Sequence, residues 1–158
     1  MLAAVKCGAN LSMKVYLDTC SLQRPLDAKN QLRILLESEA VLALIALCDS
    51  AQMELVSSEA LLFETMRAVD VTRREFALEV LQKAAHFIQV DANVQTRANE
   101  LNRKGIGALD ALHLALAEKA QVDYFCTCDD KFLKKAKLFG ALPMKAVSPI
   151  TLIEEFEL

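Results

Sequence analysis

The order of apolar patterns along the chain predicts an α/β fold, a three-layer α/β/α sandwich with a central parallel sheet of about five strands. Three observations carry that expectation. Short strand-like runs alternate with helix-periodic segments almost throughout, which is the pattern of crossover-connected parallel strands. The strand-like runs are apolar on both faces, as a sheet covered on both sides requires. The 158 residues are 54% hydrophobic, with 4 Gly, 3 Pro and no internal repeat or low-complexity block. Such a chain has room for one ordinary core and too little length for two.

The elements follow in order. Lys14-Val15-Tyr16-Leu17 is a β-prone run ending at Asp18. Pro25 breaks the segment after it, so Cys20 to Pro25 reads as a loop and the next helix is delayed to about residue 29. From Asn30 to about Ser50, Leu32, Leu35, Leu36, Val41, Leu42, Leu44, Ile45 and Leu47 recur at helix spacing. Glu54 to Ser57 is a second strand, with Ser57-Ser58 capping a helix through Val69. Thr72, with Glu75 three residues on, reads as a capping box for a helix to about Ala85. Phe87 to Val90 is a third strand, and Asp91 opens a helix to about Lys104. Gly105 and Gly107 break that helix and introduce another over 108–120. Val122 to Thr127 is a fourth strand, 129–138 a short helix, and Met144 to Val147 a fifth strand before a terminal helix at Pro149. Residues 1–12 read as an N-terminal tail or an upstream start, and 13–158 as the folded domain.

The formal charge is −3, which excludes a protein that holds nucleic acid by bulk charge. The longest apolar run, Ala40 to Cys48, is nine residues, against about 20 for a membrane-spanning helix. No membrane partner is expected. The N-terminus makes a poor signal peptide. Five cysteines, at 7, 20, 48, 126 and 128, form no C-x-x-C pair and fit a reducing, cytoplasmic setting.

In open parallel sheets ligands bind beyond the C-terminal ends of the strands, where strand order reverses. Asp18 follows the first strand and Thr127-Cys128-Asp129-Asp130 the fourth. The second strand leads to a helix bearing Glu59 and Glu64, and the glycine break leads to Asp110 in a first helical turn. Singly, each acid has a structural reading as a cap, a helix-dipole partner or a solvated charge. With the first and fourth strands as neighbours, a hypothesis taken from the doubly wound order, the set places carboxylates from four elements on one rim. Clustered carboxylates raise one another's pKa unless a cation neutralises them, and their oxygens suit Mg²⁺ or Mn²⁺ with water and phosphate completing the octahedron. Neither G-x-G-x-x-G nor a Walker pattern is present, so a nucleotide cofactor is not expected. Metal-assisted phosphodiester hydrolysis is the chemistry such a set supports.

Val-Tyr-Leu-Asp-Thr at 15–19, Glu64 six residues past Ser58, Gly-Ala-Leu-Asp-Ala-Leu-His-Leu-Ala at 107–115 and Phe-Cys-Thr-Cys-Asp-Asp-Lys-Phe at 125–132 together resemble the PIN domain, the family that includes bacterial toxins of the VapC type. The resemblance spans about residues 13–150. It implies a metal-dependent ribonuclease with Asp18, Glu64, Asp110 and Asp129 as an acidic quartet around Mg²⁺ or Mn²⁺. Thr127 matches the family's hydroxyl two residues before the last acid. Asp130 is the alternative to Asp129, and Glu59 the alternative to Glu64, although capping suits Glu59 better. The resemblance further implies an RNA substrate, a small antitoxin protein as partner, and a homodimer.

The segment after the first strand departs from the commoner toxin pattern, which puts Gln23 and Arg24 forward for substrate contact and leaves the target open. Lys131, Lys134, Lys135 and Lys137 form the densest basic cluster, where an RNA backbone would dock beside the acids; Arg73 and Arg74 are a weaker candidate. His113, three residues after Asp110, reads as a packed histidine more than a base. Cys20, Cys126 and Cys128 make poor zinc spacing and read as small buried hydrophobes. A catalytically weak module of the same fold that binds RNA or protein is the alternative function. A phosphatase or receiver-like domain is a third, but no Lys other than Lys131 follows a strand end to serve it.

Overall fold

Strand β1 (Met13–Leu17) is central because every residue in its second half is apolar and leaves no side for water: Val15, Tyr16 and Leu17 are fully buried. Consecutive strand residues point to opposite faces, so both faces of the sheet are covered. The structure, a computed structural model, describes residues 12–140 and 142–156. The expected tail lies outside these, apart from position 12.

Around β1 the sheet is five-stranded and all parallel, in the order β3-β2-β1-β4-β5. The flanking strands are β2 (Met53–Ser58), β3 (His86–Ile88), β4 (Tyr124–Cys126) and β5 (Lys145–Val147). Register sets Tyr16 against Val56 on one side and Phe125 on the other, and Leu17 against Cys126. The backbone N–H of Asp18 donates to Cys126 O at 3.1 Å, so β1 and β4 stay paired up to the point where Asp18 leaves the sheet. Since β2 and β4 lie on opposite sides of β1, the strand order reverses there and a crevice opens at its C-terminal end.

Among the described residues eight α-helices accompany the strands: α1 (Thr19–Gln23), α2 (Leu32–Asp49), α3 (Glu59–Met66), α4 (Val71–Gln82), α5 (Ala92–Arg103), α6 (Ala108–Lys119), α7 (Asp130–Leu138) and α8 (Pro149–Glu155). Helix α5 packs on α6, and α2 on α8 and β2. The predicted α/β/α sandwich is the fold observed.

Two local expectations are corrected. The segment read as a loop is helix α1 followed by a 3-10 turn, Arg24–Leu26. Asp18 starts the helix by accepting the Ser21 N–H at 3.0 Å, and Pro25 costs nothing in the first turn of a 3-10 segment, where its missing N–H has no partner to lose. The following helix accordingly begins at Leu32. Helix α4 is capped by Asp70, which accepts the Arg73 N–H at 2.9 Å. Both Asp70 and the Thr72–Glu75 pair satisfy a cap pattern, and the earlier residue holds the helix end. Asp70→Ala is expected to cost about 1 kcal/mol and Thr72→Ala no more than about 0.5; urea denaturation of the two variants checks the difference.

Gly105 is the one break residue whose backbone demands glycine: its φ of +105° lies where side chains are strained. It turns the chain from α5 into the run that sets up α6.

Candidate active site

Each acid of the predicted set arrives at the crevice by its own element. Asp18 ends β1 and caps α1. Glu64 lies in the second turn of α3, whose start is fixed by Ser58 accepting the Leu61 N–H at 3.1 Å. Asp110 lies in the first turn of α6. Asp129 caps α7, accepting the Lys131 and Phe132 N–H groups at 3.0 and 3.1 Å. The four line one cavity of about 130 Å³ together with Thr19, Cys20 and His113. No Lys or Arg lies in that lining.

Electrostatics follow from this crowding. Burial pushes the Asp18 carboxyl above its ordinary value, against hydrogen bonds from Thr127, Cys20 and Ser21 that pull it down. Asp110 is raised by burial first and then by Asp18, Asp129 and Glu64, with His113 acting the other way. The carboxylates therefore sit within one another's field, the condition in which a cation is needed to hold them all ionised. The buried Thr19 Oγ1 has no hydrogen-bond partner among the described residues, which leaves a polar atom in the cavity wall.

Thr127 is 1% exposed. Its hydroxyl accepts the Asp129 N–H at 3.1 Å and pulls the Asp18 carboxyl down, so one side chain acts on two of the acids. Cys20 Sγ donates to Asp18 Oδ1 at 3.1 Å. Glu64 is held by His113, whose Nε2 bonds Glu64 Oε1. On its other side His113 Nδ1 lies 2.6 Å from Tyr16 Oη, which lies 2.7 Å from Ser58 Oγ. His113 is thus packed, as its sequence context suggests, and also bonded through both ring nitrogens. Tyr16 was legible only as core. A tyrosine on the strand that ends in an acid, with a histidine three residues past another acid, is the signal that points to it, because a buried phenol needs a partner.

The remaining candidates fall outside the cavity. Asp130 pairs with Arg33, one contact at 2.6 Å, and that contact holds it low. Glu59 Oε2 accepts the Val90 N–H at 2.7 Å, joining α3 to the end of β3. Arg24 turns inward, 2.8 Å from Asp27 and 3.6 Å from the buried Glu37; an ion pair in the 3-10 turn takes up the guanidinium that sequence put forward for substrate. Arg73 bonds Asp27 at 2.8 Å and Arg74 bonds Ala68 O at 2.8 Å. Lys131, Lys134, Lys135 and Lys137 are exposed on α7, and no carboxylate lies within 4 Å of them among the described residues. Cys126 and Cys128 are buried free thiols.

Among the described residues no three His, Cys, Asp or Glu side chains close into a ready ligand cage. Mg²⁺ does not require one: it keeps several waters and is held through one or two carboxylates and the substrate's phosphate. The donor chemistry, hard oxygens without a competing cation, fits such an ion. No helix of the described chain is long and apolar enough to cross a membrane.

Comparison with known proteins gives a family and a fold. Curated proteins yield no significant match. Fifteen chains of solved structures match. One belongs to VapBC2 from Rickettsia felis, solved bound to a DNA fragment from its promoter; it is 15% identical, covers 86% of this chain and 98% of that one, and superposes with a TM-score of 0.53. The PIN domain family profile matches residues 15–138, the stretch that contributes all four cavity acids, and the chain belongs to the PIN domain family.

Proposed function

We propose that the protein is a Mg²⁺- or Mn²⁺-dependent endoribonuclease, the toxin of a toxin–antitoxin pair, with Asp18, Glu64, Asp110 and Asp129 as its catalytic and metal-holding acids. The observation that carries this reading is the cavity itself: carboxylates from four elements converge on about 130 Å³ with no Lys or Arg in its lining. A divalent ion bound there supplies Lewis-acid chemistry, activating water at neutral pH and offsetting negative charge on the reacting phosphate.

The chain's own groups set the stage for it. Asp18 is fixed by the α1 N-terminus, Cys20 and Thr127, so it cannot swing away from the crevice. Asp110 has burial and three acids against it, which makes it the group with most to gain from a cation. Thr127 sets the spacing between Asp18 and Asp129. Asp130 serves instead as a brace between α7 and α2.

RNA is the substrate that the lysines of α7 favour. Asp129 caps the helix that carries them, so a backbone docked along α7 leads to the acids. Lys134→Glu with Lys135→Glu is expected to weaken binding of single-stranded RNA, and to lower the slope of log K against log salt by about 1.4 for two lost phosphate contacts. Fluorescence anisotropy in chelator measures this without cleavage.

An antitoxin partner is supported by the solved VapBC2 neighbour and by apolar surface left open on two helices. Leu32 and Leu36 on α2 and Phe63 and Met66 on α3 are 71%, 48%, 57% and 57% exposed. A homodimer draws on the same surface.

Incubating mixed single-stranded RNAs with Mn²⁺, with chelator, and with the Asp18→Asn protein tests the proposal. Cleavage that needs the ion and Asp18 is expected. Cleavage that persists in chelator would overturn it, and RNA bound but never cut would mark a binding module.

A further inference from the structure

One chain of buried polar groups runs from the middle of the sheet to the cavity wall and is not part of the acid set. Ser58 and Tyr16 are fully buried and His113 is 2% exposed. The bonds run Ser58 Oγ to Tyr16 Oη at 2.7 Å, Tyr16 Oη to His113 Nδ1 at 2.6 Å, and His113 Nε2 to Glu64 Oε1.

Proton counting gives the chain a direction. Ser58 Oγ already accepts the Leu61 N–H. If Ser58 donates to Tyr16 and Tyr16 donates to His113 Nδ1, the imidazole proton lies on Nε2 and is donated to Glu64, so every proton has one acceptor. The reverse direction needs either an imidazolium or a protonated Glu64, and in both cases leaves the Ser58 proton buried with no acceptor among the described residues, which native interiors avoid. The geometry is stiff: the Tyr16 ring stacks on Phe125 with centroids 5.3 Å apart and meets the His113 ring edge-on at 5.7 Å.

We propose that Ser58, Tyr16 and His113 form a fixed donor chain that aims the Glu64 carboxylate into the cavity, making Tyr16 and His113 positioning residues for that acid. A glutamate on a two-turn helix is otherwise free to sample many rotamers. His113 takes one oxygen, Oε1, and leaves Oε2 without a protein hydrogen bond among the described residues, available to whatever the cavity holds. Partners that orient ligating carboxylates and imidazoles are worth about 10–100-fold in metal affinity or activity. This inference rests on the reading of Glu64 as a metal-holding acid.

The chain has two histidines, so imidazole NMR resolves His113 from His86. In metal-free protein the expected signature is a neutral ring with Nδ1 unprotonated and a slowly exchanging, downfield Nε2 proton. Tyr16→Phe keeps the stack on Phe125 and should release that signature. Mn²⁺ binding, counted by the loss of free-ion EPR signal, should weaken about 10-fold in Tyr16→Phe and further in His113→Leu. His113→Gln, which returns an amide N–H near the Nε2 position, should recover much of the loss, whereas a merely space-filling role predicts Gln no better than Leu.

A ring protonated on Nδ1, unchanged Mn²⁺ affinity in Tyr16→Phe, or equal loss in the Gln and Leu variants overturns the proposal. If these signatures hold but wild-type protein with Mn²⁺ cuts no RNA, the ribonuclease reading fails and the positioning chain stands. If RNA is cut and the variants bind Mn²⁺ normally, the chain fails and the ribonuclease reading stands. A wild-type protein that takes up no Mn²⁺ removes the task assigned to Glu64 and overturns both.

Discussion

Asp18→Asn is expected to lower Mn²⁺-dependent RNA cleavage by at least about 100-fold while leaving the fold intact. Groups that merely orient a ligand are worth up to about 100-fold, so loss of the acid itself sets that figure as a floor. Asn is as good a helix cap as Asp, and the bond from the Ser21 N–H survives. The change removes only a charge that is 8% exposed and surrounded by other acids.

Stability should move the opposite way. Burial holds the folded Asp18 above its unfolded value, so the native chain binds that proton more tightly than the unfolded one. The resulting contribution is fully present below the unfolded value, near pH 4, and is lost as pH rises through the folded one. In chelator at neutral pH, Asp18→Asn should therefore unfold at higher urea than wild type. The two should converge as pH falls below about 4. Activity lost with stability gained would mark Asp18 as a residue kept for chemistry at a cost to the fold. Retained cleavage would remove Asp18 from the site.

Phe125→Ala is expected to cost about 3–5 kcal/mol, the range for a fully buried aromatic truncated in a core. Phe125 is 1% exposed. Its ring stacks on Tyr16 and meets Phe132 at 5.5 Å, joining β1, β4 and α7, the elements that deliver Asp18 and Asp129. The melting temperature should fall by roughly 10 °C. Phe125→Leu, which keeps most of the volume, should cost less than about 1.5 kcal/mol. Calorimetry of both variants distinguishes a cavity from a small change of shape.

How far the sequence led depends on what each signal encodes. Alternating strand and helix patterns depend on local periodicity, so the parallel sandwich was legible without any knowledge of strand neighbours. The adjacency of β1 and β4 was not, since residues 17 and 126 carry no mark of their pairing; it entered as a hypothesis from the doubly wound order. Pro25 was read as a breaker because in most helices it is one, and only the cap at Asp18 and the switch to a 3-10 turn make it harmless. Thr72 reads as the cap because a Thr with a Glu three residues on is a recognisable pair, whereas the lone Asp70 that holds the helix end carries no such paired signal.

The cavity acids were legible as a set because each lies on or beside a different element that the parallel order brings to the same edge. Asp130 and Arg24 were not separable from cavity residues, because ion pairs take them up, Asp130 with the distant Arg33 and Arg24 with Asp27 and Glu37, and a charged residue's sequence position does not show whether it is paired. Tyr16 was hidden for a different reason: a hydroxyl on an apolar strand contributes nothing to periodicity, and its role emerges only when Ser58 and His113 are brought to it by β2 and α6.

The pairing of the first strand with the fourth also dictates when the site can exist during synthesis. Translation delivers Asp18, Glu64 and Asp110 early, and β1, β2 and β3 can associate as they emerge. The opposite wall, with Thr127 and Asp129, waits for β4 more than a hundred residues after β1. A nascent chain halted before residue 124 lacks the strand that seats Asp129 and the hydroxyl that spans Asp18 and Asp129. Under the proposed ribonuclease reading, the ribosome that makes the protein would be exposed to an assembled site only once that last stretch of chain has folded back.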